Sequence, residues 1–199
     1  MAMQGTVGKS VYSIFASLLE YPREDMAGMA GECLKALEGH PHYPGEVVEE
    51  VKKFQKAVSE VPLDDLQGIY SYTFEIASGE FTMDLGYHLH DGFNRANSLV
   101  SLKAMYREQG FPFDSVGKGE LPDFLPVVLR FLDFVKDEKL KSDFRESFII
   151  KALEKLQKNF DLNPSKESPY RHIIKAACVA MAADIKADAA AEKQRGYSA

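Results

Sequence analysis

Glu120-Leu121-Pro122-Asp123-Phe124-Leu125-Pro126, followed directly by Val127-Val128-Leu129-Arg130-Phe131-Leu132, is the stretch on which the reading of this chain turns. Two prolines four residues apart do not both fit inside one helix, because each removes a backbone donor and crowds the carbonyl four residues back. The segment is therefore a junction. Asp123 is expected as the N-cap of a following helix, its carboxylate accepting from the Leu125 N–H, with Pro126 at the third helical position, where no intrahelical donor is needed. That helix carries Leu125, Val128, Leu129, Leu132 and Val135 inward. Upstream, Gly117-Lys118-Gly119 reads as part of a mobile linker near residues 111–120. A cap accounts for only part of the pattern, since Glu120 and Asp123 surround Leu121 and Pro122 with more acid and apolar surface than capping requires. These four residues are candidate ligand contacts.

The rest of the chain is helical by the same test. Apolar residues recur at threes and fours in Val11–Leu19, Met26–Leu37, Val47–Val58, Leu66–Ala77, Leu99–Tyr106, Leu140–Phe160 and Tyr170–Met181. Tyr21-Pro22, Gly39, Gly79, Gly110 and Asn163-Pro164 separate them, and Asp25, Asp137 or Glu138, and Ser168-Pro169 stand where helices start. Residues 80–94 alternate apolar and polar side chains, but no second strand is evident to pair with them, so an irregular connection with a helical turn is expected. The reading is an all-α fold, a single-domain bundle of seven or eight helices spanning residues 10–186, with a flexible start at 1–9 and a disordered tail at 187–199.

Composition narrows the function. A net charge of -6 over 199 residues disfavours nucleic acid and mildly favours basic partners. Cys33 and Cys178 are the only cysteines and have no paired spacing, which fits a reducing compartment and encodes neither a disulfide framework nor a zinc knuckle. No leader pattern opens the chain and no run approaches a membrane span, so a cytoplasmic protein without membrane insertion is expected. Phosphate-cradling glycine loops, nucleophile elbows and paired metal motifs are absent from the sequence. Catalysis is therefore not expected.

Two polar clusters remain. His40-Pro41-His42 has no carboxylate or cysteine at short ligand spacing, which leaves it a solvated loop. His88-Leu89-His90-Asp91 is the denser one. A His90-Asp91 pair is the core of one class of metal-dependent phosphohydrolases, which also need a distant histidine and aspartate. The plainer reading is a polar loop in which Asp91 caps a helix or orients Arg95. A structural subunit of a redox complex is a third reading.

The junction, with Leu129 and Phe131-Leu132 behind it, closely resembles the signature of the NarJ/TorD family of molybdoenzyme maturation chaperones, on its nitrate reductase delta-subunit side. Ala16-Ser17-Leu18-Leu19-Glu20-Tyr21-Pro22 is similar to the family's opening helix, Tyr72-Thr73-Phe74 to the helix before its variable loop, His88 to Arg95 to its His-rich segment, and Tyr106 to Phe111 to the helix end before its linker. Arg130 stands where the family usually has an acid, and Asp91-Gly92 reverses the usual glycine-acid order. The resemblance implies a cytoplasmic chaperone of nitrate assimilation or anaerobic respiration that binds the N-terminal segment of an apo-molybdoenzyme catalytic subunit. It implies no cofactor of the chaperone's own, the molybdenum cofactor belonging to the client, and it adds molybdenum cofactor delivery proteins as further partners. The client contacts it implies are Glu120, Leu121, Pro122, Asp123, His88, His90, Asp91, Arg95, Tyr72 and Phe74.

Overall fold

The computed structural model describes residues 10–23, 25–76, 79–163 and 168–196. Among them are eleven α-helices and no strand. In chain order they are α1 (Val11–Leu18), α2 (Met26–Glu38), α3 (Gly45–Ser59), α4 (Leu63–Tyr70), α5 (Leu85–Leu89), α6 (Gly92–Glu108), α7 (Phe113–Gly117), α8 (Leu125–Phe134), α9 (Glu138–Phe144), α10 (Ile150–Leu162) and α11 (Tyr170–Gly196). The eight periodic stretches all form helix. The count rises because α5 and α7 are single turns inside expected connections, and because a π-turn at Arg145–Ile149 divides α9 from α10. A second π-turn, Ser71–Ile76, extends α4.

The apolar α1 lies against α2, α8 and α11, while α3 packs on α2 and α11, and α10 on α11. Phe15, Leu18 and Leu19 are fully enclosed there. Asp25 caps α2 through the Gly28 N–H at 2.9 Å, as the sequence predicts, and of the two starts open for α9 it is Asp137 that caps, through the Leu140 N–H at 3.0 Å. Two aromatic groups complete the core. Tyr170 gathers Phe54, Tyr70 and Phe74, and Phe131 gathers Tyr106, Phe111 and Phe144.

Two expectations change. The stretch read as a linker is pinned by Phe111 and Phe113 against Tyr106, and it contains α7. The tail expected to be disordered is helical through Gly196, because alanine is the best helix former and Asp188 ties α11 to Arg145 at 2.9 Å. Residues 1–9 and 197–199, expected to be flexible or disordered, lie outside the described residues.

A buried acid joins α3 to α11. Glu50 is enclosed, and burial alone would raise its carboxyl, but Lys53, His172 and Lys175 outweigh that and hold it at about 2. A carboxyl depressed by folding contributes stability that is complete above its unfolded value of about 4.3 and is lost as pH falls toward 2. Melting temperature measured across that window should therefore fall more steeply in the wild type than in Glu50→Gln.

Candidate functional site

The Glu120–Pro126 junction does not cap its own helix. Phe124 is the extended residue before α8, it offers no side-chain cap, and Pro126 sits in the first turn of that helix. Instead the junction pairs with the connection before α5. The Leu125 N–H donates to the Met83 carbonyl at 2.8 Å and the Leu85 N–H to the Asp123 carbonyl at 2.9 Å, giving one antiparallel bridge between Asp84 and Phe124. Of the alternating residues 80–90 only Asp84 is bridged in this way; the 3₁₀ turn Gly79–Phe81 and α5 make the rest an irregular connection with a helical turn, as expected.

Asp123 is completely buried, and its Oδ2 accepts from the Gly86 N–H at 2.9 Å. It therefore caps α5, 37 residues back in the sequence, where a free N–H and the helix dipole favour a carboxylate. Gly86 permits the approach, since a Cβ there would lie 2.7 Å from Oδ2. Burial and the neighbouring Asp84 raise the Asp123 carboxyl above its ordinary range, opposed by the Gly86 N–H and Arg95. Arg95 Nη2 reaches Asp84 at 3.0 Å and Asp123 at 3.8 Å, and its guanidinium lies over the Tyr87 ring. The expected Asp91–Arg95 pairing is replaced by this one, and Asp91 is left exposed at the start of α6 with no side-chain cap bond.

Other expected contacts also serve the fold. Pro122 is buried and its carbonyl accepts from the Tyr106 hydroxyl at 2.7 Å. Phe74 belongs to the Tyr170 ring group, with Phe160 on its other side. His88 is half-buried with Nε2 against the Thr82 carbonyl at 2.8 Å, and burial lowers its pKa despite that bond. His90 is partly covered at the end of α5, and no third metal-ligating side chain joins it and Asp91 among the described residues. The loop histidine His42 pairs with Asp184 at 2.8 Å. Leu121 and Tyr72 remain open, at 41% and 58% exposure.

Glu120 stands apart. It lines a groove of about 490 Å³ whose apolar surface comes from Tyr21, Met26, Met29, Tyr70, Phe124 and Val127, with Glu20 and Glu75 as further carboxylates and Arg23 and Lys118 as cations. Partial burial, then Asp84, Glu75 and Glu20 in turn, raise the Glu120 carboxyl. The three charges that raise it, Asp84, Glu75 and Glu20, are all carboxylates. Arg130 closes one end, pairing with Glu20 at 2.8 Å and reaching the Ser17 hydroxyl at 3.3 Å. Three of the segments quoted from the sequence converge here, through Ser17 to Tyr21, through Tyr70 and Glu75 beside Tyr72–Phe74, and through Glu120 and Phe124. Glu20, Glu75 and the two methionines were missed as site residues. Each reads locally as helix surface or core, and only folding brings them together.

A family model described as nitrate reductase delta subunit matches residues 41–161, more than half of the chain, including the junction and the connection it pairs with. No curated protein matches the sequence.

If Asp123 acts as the cap of α5, Asp123→Ala should lower stability in urea unfolding by about 1–3 kcal/mol, since it strands a buried N–H. Asp123→Asn, which keeps the acceptor, should stay within about 1 kcal/mol of the wild type. Equal losses would show that the fold uses the charge rather than the acceptor.

Proposed function

The chain belongs to the nitrate reductase delta subunit family, the assembly chaperones of molybdoenzymes, and on that premise we propose that it holds the N-terminal segment of an apo-molybdoenzyme catalytic subunit in the groove beside Glu120. The observation that carries this reading is the field at Glu120. The carboxyl is pushed toward its neutral form by burial and by Asp84, Glu75 and Glu20, above an apolar floor of methionine and aromatic side chains. A cationic group entering there relieves repulsion that the folded chain leaves in place. An amphipathic helix with basic residues supplies that cation and an apolar face together, the helix-in-groove mode of recognition.

In this reading the protein works by binding and release, in the compartment where the client is assembled, which for the family is the cytoplasm. Among the described residues no helix is long and apolar enough to cross a membrane. The molybdenum cofactor enters the client, and proteins that deliver it are further partners. Leu121 and Tyr72 extend the apolar surface available to the client, while Asp123, Pro122 and Arg95 position the wall that carries Glu120.

The test is calorimetric titration with a synthetic peptide of the N-terminal segment of a nitrate reductase catalytic subunit. Saturable binding is expected, with Glu120→Gln weakening it about fivefold, the upper range for a partly exposed charge pair of about 1 kcal/mol. No binding by the wild type overturns the reading.

The pH dependence carries its own sign. Glu120 is raised in the free protein and a client cation favours its ionised form, so binding releases a proton and affinity rises with pH through the range just above the ordinary carboxylate value. Titrations in buffers of different ionisation enthalpy should detect that proton in the wild type, with the release reduced in Glu120→Gln.

A further inference from the structure

A second groove, of about 730 Å³, lies next to the first and is lined by Phe111, Val116, Arg130, Phe134 and Lys136 among others. Its character is different. Phe134 remains 42% exposed although its ring stands 5.4 Å from Phe111, so an aromatic surface is left open. The carboxylates along it already have partners, since Asp133 accepts from the Ser13 hydroxyl at 2.5 Å and Asp137 caps α9. No ion pair with a described carboxylate engages Lys136. What the second groove offers is apolar contact with cations at its margin, whereas the first offers carboxylates.

The two grooves are continuous. Val116 of α7 lines both. Ser13 lines the second, and Ser17 and Glu20 line the first, at successive positions along one side of α1 and its end. Arg130 stands at the junction, lining the second groove while its guanidinium holds Glu20 in the first. From Ser13 to Glu20 is seven residues, roughly 10 Å or two helical turns at about 1.5 Å per residue.

We propose that the two grooves form one track and that the client segment is read in two parts. Its basic side chains lie against Glu120 and Glu75, and bulky apolar side chains about two turns away on the same face rest on the exposed ring of Phe134. This rests on the reading of the first groove given above and deepens it, by stating the spacing of charge and apolar surface that the client must carry. Arg130 sets the boundary. It neutralises Glu20 from within and keeps the cation-accepting part of the track toward Glu120 and Glu75.

Three alanine-based helical peptides with a fluorescent label test this by anisotropy. One carries two arginines and, two turns further along the same face, two leucines; a second lacks the leucines; a third has them on the opposite face. Wild-type protein should bind the first roughly tenfold more tightly than the other two, as expected for burial of apolar side chains. Phe134→Ser, a substitution of an exposed side chain whose fold is verified by an unchanged melting temperature, should remove that advantage and leave the second peptide's affinity as it was. Glu120→Gln should weaken all three. If Phe134→Ser leaves the first peptide's affinity unchanged, or if the third peptide binds as tightly as the first, the two-part track is wrong and the acidic groove stands alone. If none of the peptides binds the wild type, the acidic-groove reading fails and the track fails with it.

Discussion

The buried carboxylate of Asp123 is the contact on which the rest of the site depends. A carboxylate removed from water costs several kcal/mol unless hydrogen bonds and opposite charge replace its hydration. Here the replacement is the Gly86 N–H, the positive end of a short helix, and Arg95 at the edge of contact. Because Asp84 is nearby as well, the compensation is incomplete and the carboxyl remains raised. Together with the bridge between Asp84 and Phe124, this contact fixes how the junction crosses the connection before α5. That crossing turns Glu120 outward into the groove while Pro122 and Asp123 turn in. The position of Glu120 is thus set by its structural neighbour.

Much of this fold was legible because helices leave a local record. The three-and-four spacing of Val11, Ile14, Phe15 and Leu18, or of Ala152, Leu153, Leu156 and Phe160, reports burial on one face without reference to anything distant, and all of these side chains are buried. The single turns α5 and α7 leave too few residues to show a period. The Asp123 error has a different cause. Spacing placed its nearest donor two residues ahead at Leu125, but that N–H is taken by the Met83 carbonyl, and the donor it uses lies 37 residues behind. The alternation in residues 80–90 folds mostly as a 3₁₀ turn and the single turn α5, in keeping with the expected irregular connection with a helical turn, and only Asp84 makes a strand-like bridge, to Phe124.

The groove was the least legible part, since it is a property of convergence rather than pattern. Glu20 lies just past the end of α1, Glu75 lies in a π-turn, and Glu120 follows a glycine in the left-handed region with φ of +98°. Each alone is an ordinary surface acid. The family resemblance pointed to the segments that meet there, yet among the ten residues it singled out only Glu120 lines the groove itself.

Arg130 ties two segments of the groove's surroundings together. Its guanidinium is held by Glu20 and Ser17 of the α1 segment while its backbone belongs to α8, so it adds a polar contact to an interface that is otherwise apolar. An acid in its place would stand beside Glu20 and add negative charge at that end of the groove. With arginine there, Glu20 has an internal partner, while burial and then Asp84, Glu75 and Glu20 still raise the Glu120 carboxyl. A groove of this kind discriminates by where a cation sits as well as by how many cations there are. A basic side chain arriving at Glu20 must compete with Arg130, whereas among the described residues no ion pair engages Glu120. The carboxylate with the least internal compensation is then the one that most strongly orients whatever basic segment the groove receives.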